Sequence, residues 1–250
     1  FTASFEASEE ALDDVRDLGV AVYENFSYDL PVTGGSAGEA VVRVHQVREH
    51  VDLAHYFEGH EPEAADEIAL SKNYCQENGL SVGDTVTVGG KPLTICATIT
   101  LPDYISAFES NTDLLFNSVT FGVAEVSRAG YEQFAGETEA YTYSFVFDDD
   151  TLSDSERADL ESDMAKALGS AGTVLSDFID ADANQGITYA AEDQEGDEVI
   201  MLALLMLVVI IVAFVFAVLT SGTIADESAI IGYTTSYTDT YPEKDGETNF

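Results

Sequence analysis

The pattern of apolar and polar positions changes character once along the chain. Through residue 198 the apolar residues come in short runs, broken by acids, Gly and Pro. From Val199 to Leu219 they merge into VIMLALLMLVVIIVAFVFAVL, 21 residues with no charge, no polar side chain, no Gly and no Pro. As a helix at 1.5 Å per residue this run is roughly 31 Å long, close to the hydrocarbon core of a bilayer. It is longer and more uniformly apolar than the core helix of a soluble domain. It is not a signal peptide either, being far from the N-terminus with no basic region before it. A transmembrane helix is expected over 199–221.

The shorter runs predict a mixture of helices and strands. Residues 5–19 carry helix formers and stop at Gly19. Val20–Tyr23 and Val41–Val47 read as strands, with a loop at Pro31–Gly38 between them. His50–Phe57 reads as helix or turn, and Ile68–Leu70 as a short strand or the lead-in to a helix. Ser71–Asn78 is a helix with Ser71 as its N-cap and Gly79 as its stop. Thr85–Val88 and Leu93–Thr100 form a hairpin around Gly89–Pro92. Phe121–Val126 is a strand and Ala129–Phe134 a short helix. Ala140–Phe147 is a strand by its aromatic and β-branched content. Ser153–Leu168 is a helix ending at Gly169. Strands and helices do not strictly alternate, so the fold class is α+β: a mixed α/β domain over 1–198, then a single transmembrane helix.

Charge narrows the partners. The 250 residues hold 47 acids and 9 bases, a net of −38. Before Val199 the balance is 41 acids to 8 bases. Nucleic acid is excluded as a partner, because phosphate binding needs clustered Lys and Arg. No Lys or Arg flanks the apolar run closely; Lys244 is the first after it. The positive-inside rule therefore leaves the helix unoriented.

Known chemical motifs are missing. His45, His50, His55 and His60 recur every five residues, a step that matches neither one helix face nor one strand face. They read as incidental surface histidines. Asp180–Asn184 begins like a calcium loop but has Gln185 where Gly belongs and Ala191 where Glu belongs. No metal site and no cofactor is expected. Gly90–Lys91 is followed by Pro92, so there is no phosphate-binding Walker loop. No nucleophile elbow and no His-Glu-x-x-His motif occurs, and no enzyme activity is expected. Cys75 and Cys96 could pair or remain buried thiols.

Residues 53–103 carry an ordered set of short motifs. These are Glu58–Gly59 with Pro62, the segment Asp66–Ser71 containing Glu67, and Gly79 to Gly83–Asp84 before the hairpin. A second set surrounds the apolar run: Asn184–Gln185–Gly186–Ile187 before it, then Thr223, Ile224, Glu227, Ile231 and Gly232 after it. Together they resemble the FtsX-like ABC transporter permease family, the group related to MacB and the Lol lipoprotein-release permeases. The resemblance implies an extracytoplasmic domain at 1–198, the second transmembrane helix at 199–221, and a cytoplasmic segment at 222–250. It implies a cell-membrane location, a permease dimer, and a separate ATP-binding subunit whose closure moves the helices. Thr223, Ile224, Glu227, Ile231 and Gly232 would be the coupling segment. Gly59, Pro62, Glu67, Gly79, Gly83 and Asp84 would shape the ectodomain turns.

Beyond Gly232 the pattern departs from the family. A basic helical stretch is replaced by YTTSYTDTYPEKDGETNF, whose composition is poor for helix. The chain thus reads as a fragment, with a first transmembrane helix expected upstream and a truncated or atypical end. The alternative reading is a membrane-anchored acidic extracellular module that binds cationic peptides or metal ions.

Overall fold

The computed structural model describes residues 1–36 and 38–240. In chain order its elements begin with β1 (Thr2–Ala3), α1 (Glu9–Arg16), β2 (Val20–Glu24), β3 (Ser27–Thr33) and β4 (Ala40–Gln46). Next come β5 (His55–Gly59), β6 (Glu67–Ser71), α2 (Lys72–Asn78), β7 (Thr85–Val88) and β8 (Lys91–Thr100). A 3-10 turn at Pro102–Tyr104 precedes β9 (Phe121–Val126), α3 (Arg128–Glu132), β10 (Glu139–Phe147) and α4 (Asp154–Ser170). The series ends with β11 (Leu175–Asp177), a 3-10 turn at Ala181–Ala183, and α5 (Gln185–Thr240). The expected mixed α/β class with one C-terminal apolar helix is what the elements form. Two compact units result, Phe1–Ala191 and a second beginning at Glu192.

Six strands of the first unit close into a barrel. β3 pairs antiparallel with β4, and β4 runs parallel to β9. β9 meets β6 antiparallel, and β6 is parallel to β8. β8 returns as a hairpin to β7, which closes the ring by pairing with β3. Closure leaves these strands without a free edge around the ring, which removes the hazard of unpaired backbone groups. Period-2 alternation decides what goes inside. Leu30 and Val32, Val42 and Val44, Ile68 and Leu70, Val86 and Val88, Leu93 and Ile95, and Ala124 and Val126 form one buried core. Tyr74 and Cys75 from α2 and Phe134 beyond α3 join it.

A second core lies under α1 and α4. There β10 pairs with β2 on one side and β1 on the other, and β1 pairs with β11. Leu12 and Val15 of α1, Met164 and Leu168 of α4, and Val20, Val22 and Tyr143 of the strands pack together. Ser8 caps α1 by accepting from Ala11 N–H. Ser153 and Glu156 form a capping box at the start of α4. The strand β10 reaches from this sheet to the barrel, where Glu139–Ala140 pair with β3.

Three local expectations need correction. Pro31 does not open a loop; it lies inside β3, opposite Val41, and its carbonyl accepts from Gly89 N–H at 2.9 Å. His55–Gly59 is a strand rather than a helix or turn, paired with β8 at the periphery of the sheet. The segment after the apolar run is helical to Thr240 despite its β-branched residues. A helix already nucleated extends at little cost per residue, so weak propensity does not end it.

Candidate functional site

Most of the motif residues gather around one irregularity in β8. Between Ile95 and Ala97 the register against β6 slips by a residue, a bulge at Cys96. Gly59 (φ 86°) lies so close to the Cys96 carbonyl that a Cβ would collide with it. His60 N–H donates to the same carbonyl at 3.2 Å. Gly83 N–H donates to Ile95 O at 2.8 Å, and Ile95 N–H to Asp84 O at 2.9 Å. Asp84 also accepts from Ser81 N–H through its carboxylate at 2.8 Å. Glu67, opposite Thr94, accepts from the Glu63 and Ala64 amides at 2.9 Å each. Pro62 is buried in the turn between them. Gly79 sits apart, as the left-handed C-cap of α2.

The outer face of the barrel carries a buried charged layer that the sequence did not mark out. Arg48 Nη1 meets Asp103 Oδ1 at 2.8 Å, with the two side chains only 6% and 14% exposed. Burial works against the Arg48 charge, and Asp103, with Tyr104 and Asp52, more than offsets it. Nearer the surface, Arg43 grips the exposed Asp29 with two bonds of 2.7 Å and reaches the Tyr104 hydroxyl at 3.2 Å. Glu125 accepts from the Tyr56 hydroxyl at 3.1 Å and from Arg48 N–H at 3.4 Å. Burial pushes the Glu125 carboxyl up to about 7, against the pull of Arg48 and the Tyr56 hydroxyl. His45 is buried in β4 with Nδ1 3.1 Å from Phe26 O. Burial, with Arg48 and Arg43 nearby, holds it neutral.

This layer fastens the segment after β8 to the barrel, and that segment in turn holds the first turn of α5. Ser106 N–H donates to Gly186 O at 3.1 Å. Asn111 accepts from Gln185 N–H at 2.8 Å and donates to Ala183 O at 3.0 Å, so its amide clasps both sides of the turn. Gly186 is buried against the Asp103 carbonyl with no room for a Cβ. Phe108, Phe116 and Tyr189 pack edge to face, with centroids 5.3–5.7 Å apart. A path of direct contacts thus runs from α5 through Ser106, Asn111 and Asp103 to Arg48 and the barrel wall. Asp180–Asn184, the calcium-like run, serves this junction too: Asn184 accepts from Gly186 N–H at 2.9 Å.

Within α5, Met201–Ser221 is long and apolar enough to cross a membrane, and its residues are exposed. Ile224 is exposed as well. The side chains of Thr223, Glu227, Ile231 and Gly232 lie outside the described residues, though α5 covers their positions. Residues 241–250 of the tail also lie outside the described residues. The histidines do not share one face, but they are not all surface residues: His45 is buried in β4, and His60 meets Glu67 and Cys96 from other elements. Cys75 and Cys96 are both free and buried, one in the barrel core and the other in the outer cluster. Only the Asn184–Gly186 end of the junction had a sequence signal; Asn111, Ser106 and Asp103 had none.

No protein-family profile matches the chain. No curated protein matches it. Among solved structures it is similar to the extracellular domain of the noncanonical ABC-type transporter YknZ from Gram-positive bacteria. That match has 14% identity, a TM-score of 0.39, and covers 69% of this chain and 94% of the other. It is also similar to the periplasmic region of MacB from Actinobacillus actinomycetemcomitans, at 10% identity and a TM-score of 0.37, over 63% of this chain and 74% of the other.

Proposed function

We propose that the chain is the extracytoplasmic domain and following membrane helix of an ABC transporter permease of the FtsX-like kind. Its work is mechanical. Motion of the helix, driven by ATP hydrolysis on a separate subunit, passes through the junction into the barrel. The observation that carries this reading is the clasp of Gln185 and Gly186 by Ser106 and Asn111, braced by the buried Arg48–Asp103 pair. A passive tether would need only a flexible linker before its anchor. The ordered motifs of residues 53–103 and 184–232 support the same reading, as does the apolar length of Met201–Ser221.

The test uses the full-length permease purified from membranes with an ATP-binding subunit, reconstituted in vesicles. Asn111→Ala removes the two Asn111 bonds of the clasp, leaving Ser106 N–H to Gly186 O, without touching a core residue. It should leave the complex assembled and cut transport-coupled ATP hydrolysis several-fold. A full-length protein that binds no nucleotide-hydrolysing subunit would overturn the reading in favour of a membrane-anchored acidic binding module. Unchanged coupling in Asn111→Ala would remove the junction from the mechanism.

A further inference from the structure

The turn that carries the Gly59–Glu67 motif lies against the β8 bulge, and the two together present three donor atoms for which the mechanical role has no use. His60, Glu67 and Cys96 offer an imidazole nitrogen, a carboxylate oxygen and a sulfur, all within 4.8 Å of one another. We propose that they form a binding site for a zinc-class transition-metal ion at the β8 bulge. Nitrogen, oxygen and sulfur donors in this combination suit Zn²⁺, with three protein ligands and a fourth position left open.

Each donor is preset by what its other atoms do. His60 Nδ1 faces the Glu61 carbonyl at 2.9 Å. That bond places the ring proton on Nδ1 and leaves the Nε2 lone pair free, the arrangement that orients ligating histidines generally. His60 Nε2 then lies 3.8 Å from Glu67 Oε1. Glu67 has Oε2 engaged by two backbone amides, which fixes the carboxylate and turns Oε1 toward the histidine. Cys96 is a free, buried thiol. The bulge holds it, because Gly59 and His60 both lie against its carbonyl.

The distances suit the ion. Bonds of about 2.0–2.3 Å in a tetrahedron put ligand atoms roughly 3.3–3.8 Å apart. Side-chain rotations of about 1 Å close the present spacing to that value. The charges balance as well. A neutral imidazole, a carboxylate and a thiolate neutralise a dication, and the Cys96 proton passes to water as the metal binds. The His60 side chain is 61% exposed, so the open position faces solvent and the ion has an entry path. A bound ion would tie the turn from β5 to β6 onto the bulge.

The 47 acids will bind divalent ions weakly and everywhere, so the test must read the sulfur. The detergent-solubilised full chain is stripped with a chelator, then titrated with Co²⁺ in excess Mg²⁺ and salt. One Co²⁺ per chain is expected, with a thiolate-to-cobalt charge-transfer band that Zn²⁺ abolishes by displacement. Cys96→Ser should lose the band. His60→Ala should weaken binding by more than the roughly 10–100-fold typical of an outer-shell change. Since His60 is exposed, that variant stays folded and remains informative should Cys96→Ser unfold. Binding that Mg²⁺ suppresses completely, absence of the band in the wild-type chain, or a band unchanged in His60→Ala would overturn the site.

Discussion

Glu125 shows how one residue can set a pH dependence. Its carboxyl is raised from 4.5 to about 7, chiefly by burial; Arg48 and the Tyr56 hydroxyl oppose the shift and Glu61 adds to it. Between those values the folded state holds a proton that the unfolded state has lost. Stability therefore falls as pH rises through that window, by up to about 3 kcal/mol, and is flat in this respect outside it. Urea denaturation on both sides of the window should show the loss, and Glu125→Gln should flatten it. The other carboxylates contribute a slope of their own, so the difference between wild type and variant is the quantity to read. At Gly59 the constraint is steric instead. A Cβ would meet the Cys96 carbonyl, and φ is 86°. Gly59→Ala should cost more than the roughly 1–3 kcal/mol of backbone strain alone, seen as a lowered denaturation midpoint.

At the scale of elements, the Arg48–Asp103 pair carries the segment that holds α5. Removing one partner strands a buried charge, so Asp103→Ala should cost about 3–5 kcal/mol in denaturant unfolding. The double variant Arg48→Met with Asp103→Leu should recover most of that loss, because neither charge then needs a partner. A smaller effect is expected at the start of α4. Ser153→Ala breaks the capping box and should cost about 1 kcal/mol. Which elements were legible in sequence follows from their surroundings. The β7–β8 hairpin and β10 announce themselves through Gly89–Gly90 and through alternating β-branched and aromatic residues. In β3 the Pro31 and Gly34–Gly35 signals outweighed the Tyr28, Leu30, Val32 alternation that buries the strand. In β5 most side chains are exposed, so no burial pattern marked it. The junction was half legible, since Asn184–Gly186 lie together in sequence while Asn111 and Ser106 reach them only through the fold.

For the whole molecule, charge and the apolar run set the behaviour. The 41 acids and 8 bases before Val199 leave a net of −33 that repels itself, and salt screens that repulsion over about 8–10 Å at physiological strength. The melting temperature should therefore rise with NaCl and then level off. A melting temperature independent of salt would show that the acids are spaced widely enough not to interact. The run Met201–Ser221 should keep the chain in the membrane fraction through a high-salt and alkaline wash, with release only by detergent.

The sequence by itself determined three properties. An uninterrupted apolar run of membrane length, an acid excess concentrated before it, and a mixed α/β composition are all local quantities that summation along the chain can read. Only the tertiary structure decided the closed barrel, the clasp on α5, and the meeting of His60, Glu67 and Cys96. Barrel closure depends on which strand pairs with which, and β4 with β9 or β6 with β8 are parallel partners that no hairpin signal announces. The charged layer depends on side chains from separate elements meeting on the outer face of the barrel, and the His60–Glu67–Cys96 cluster on elements meeting at the β8 bulge. Such meetings are set by packing, because periodicity tells which face a residue occupies but not what lies opposite it.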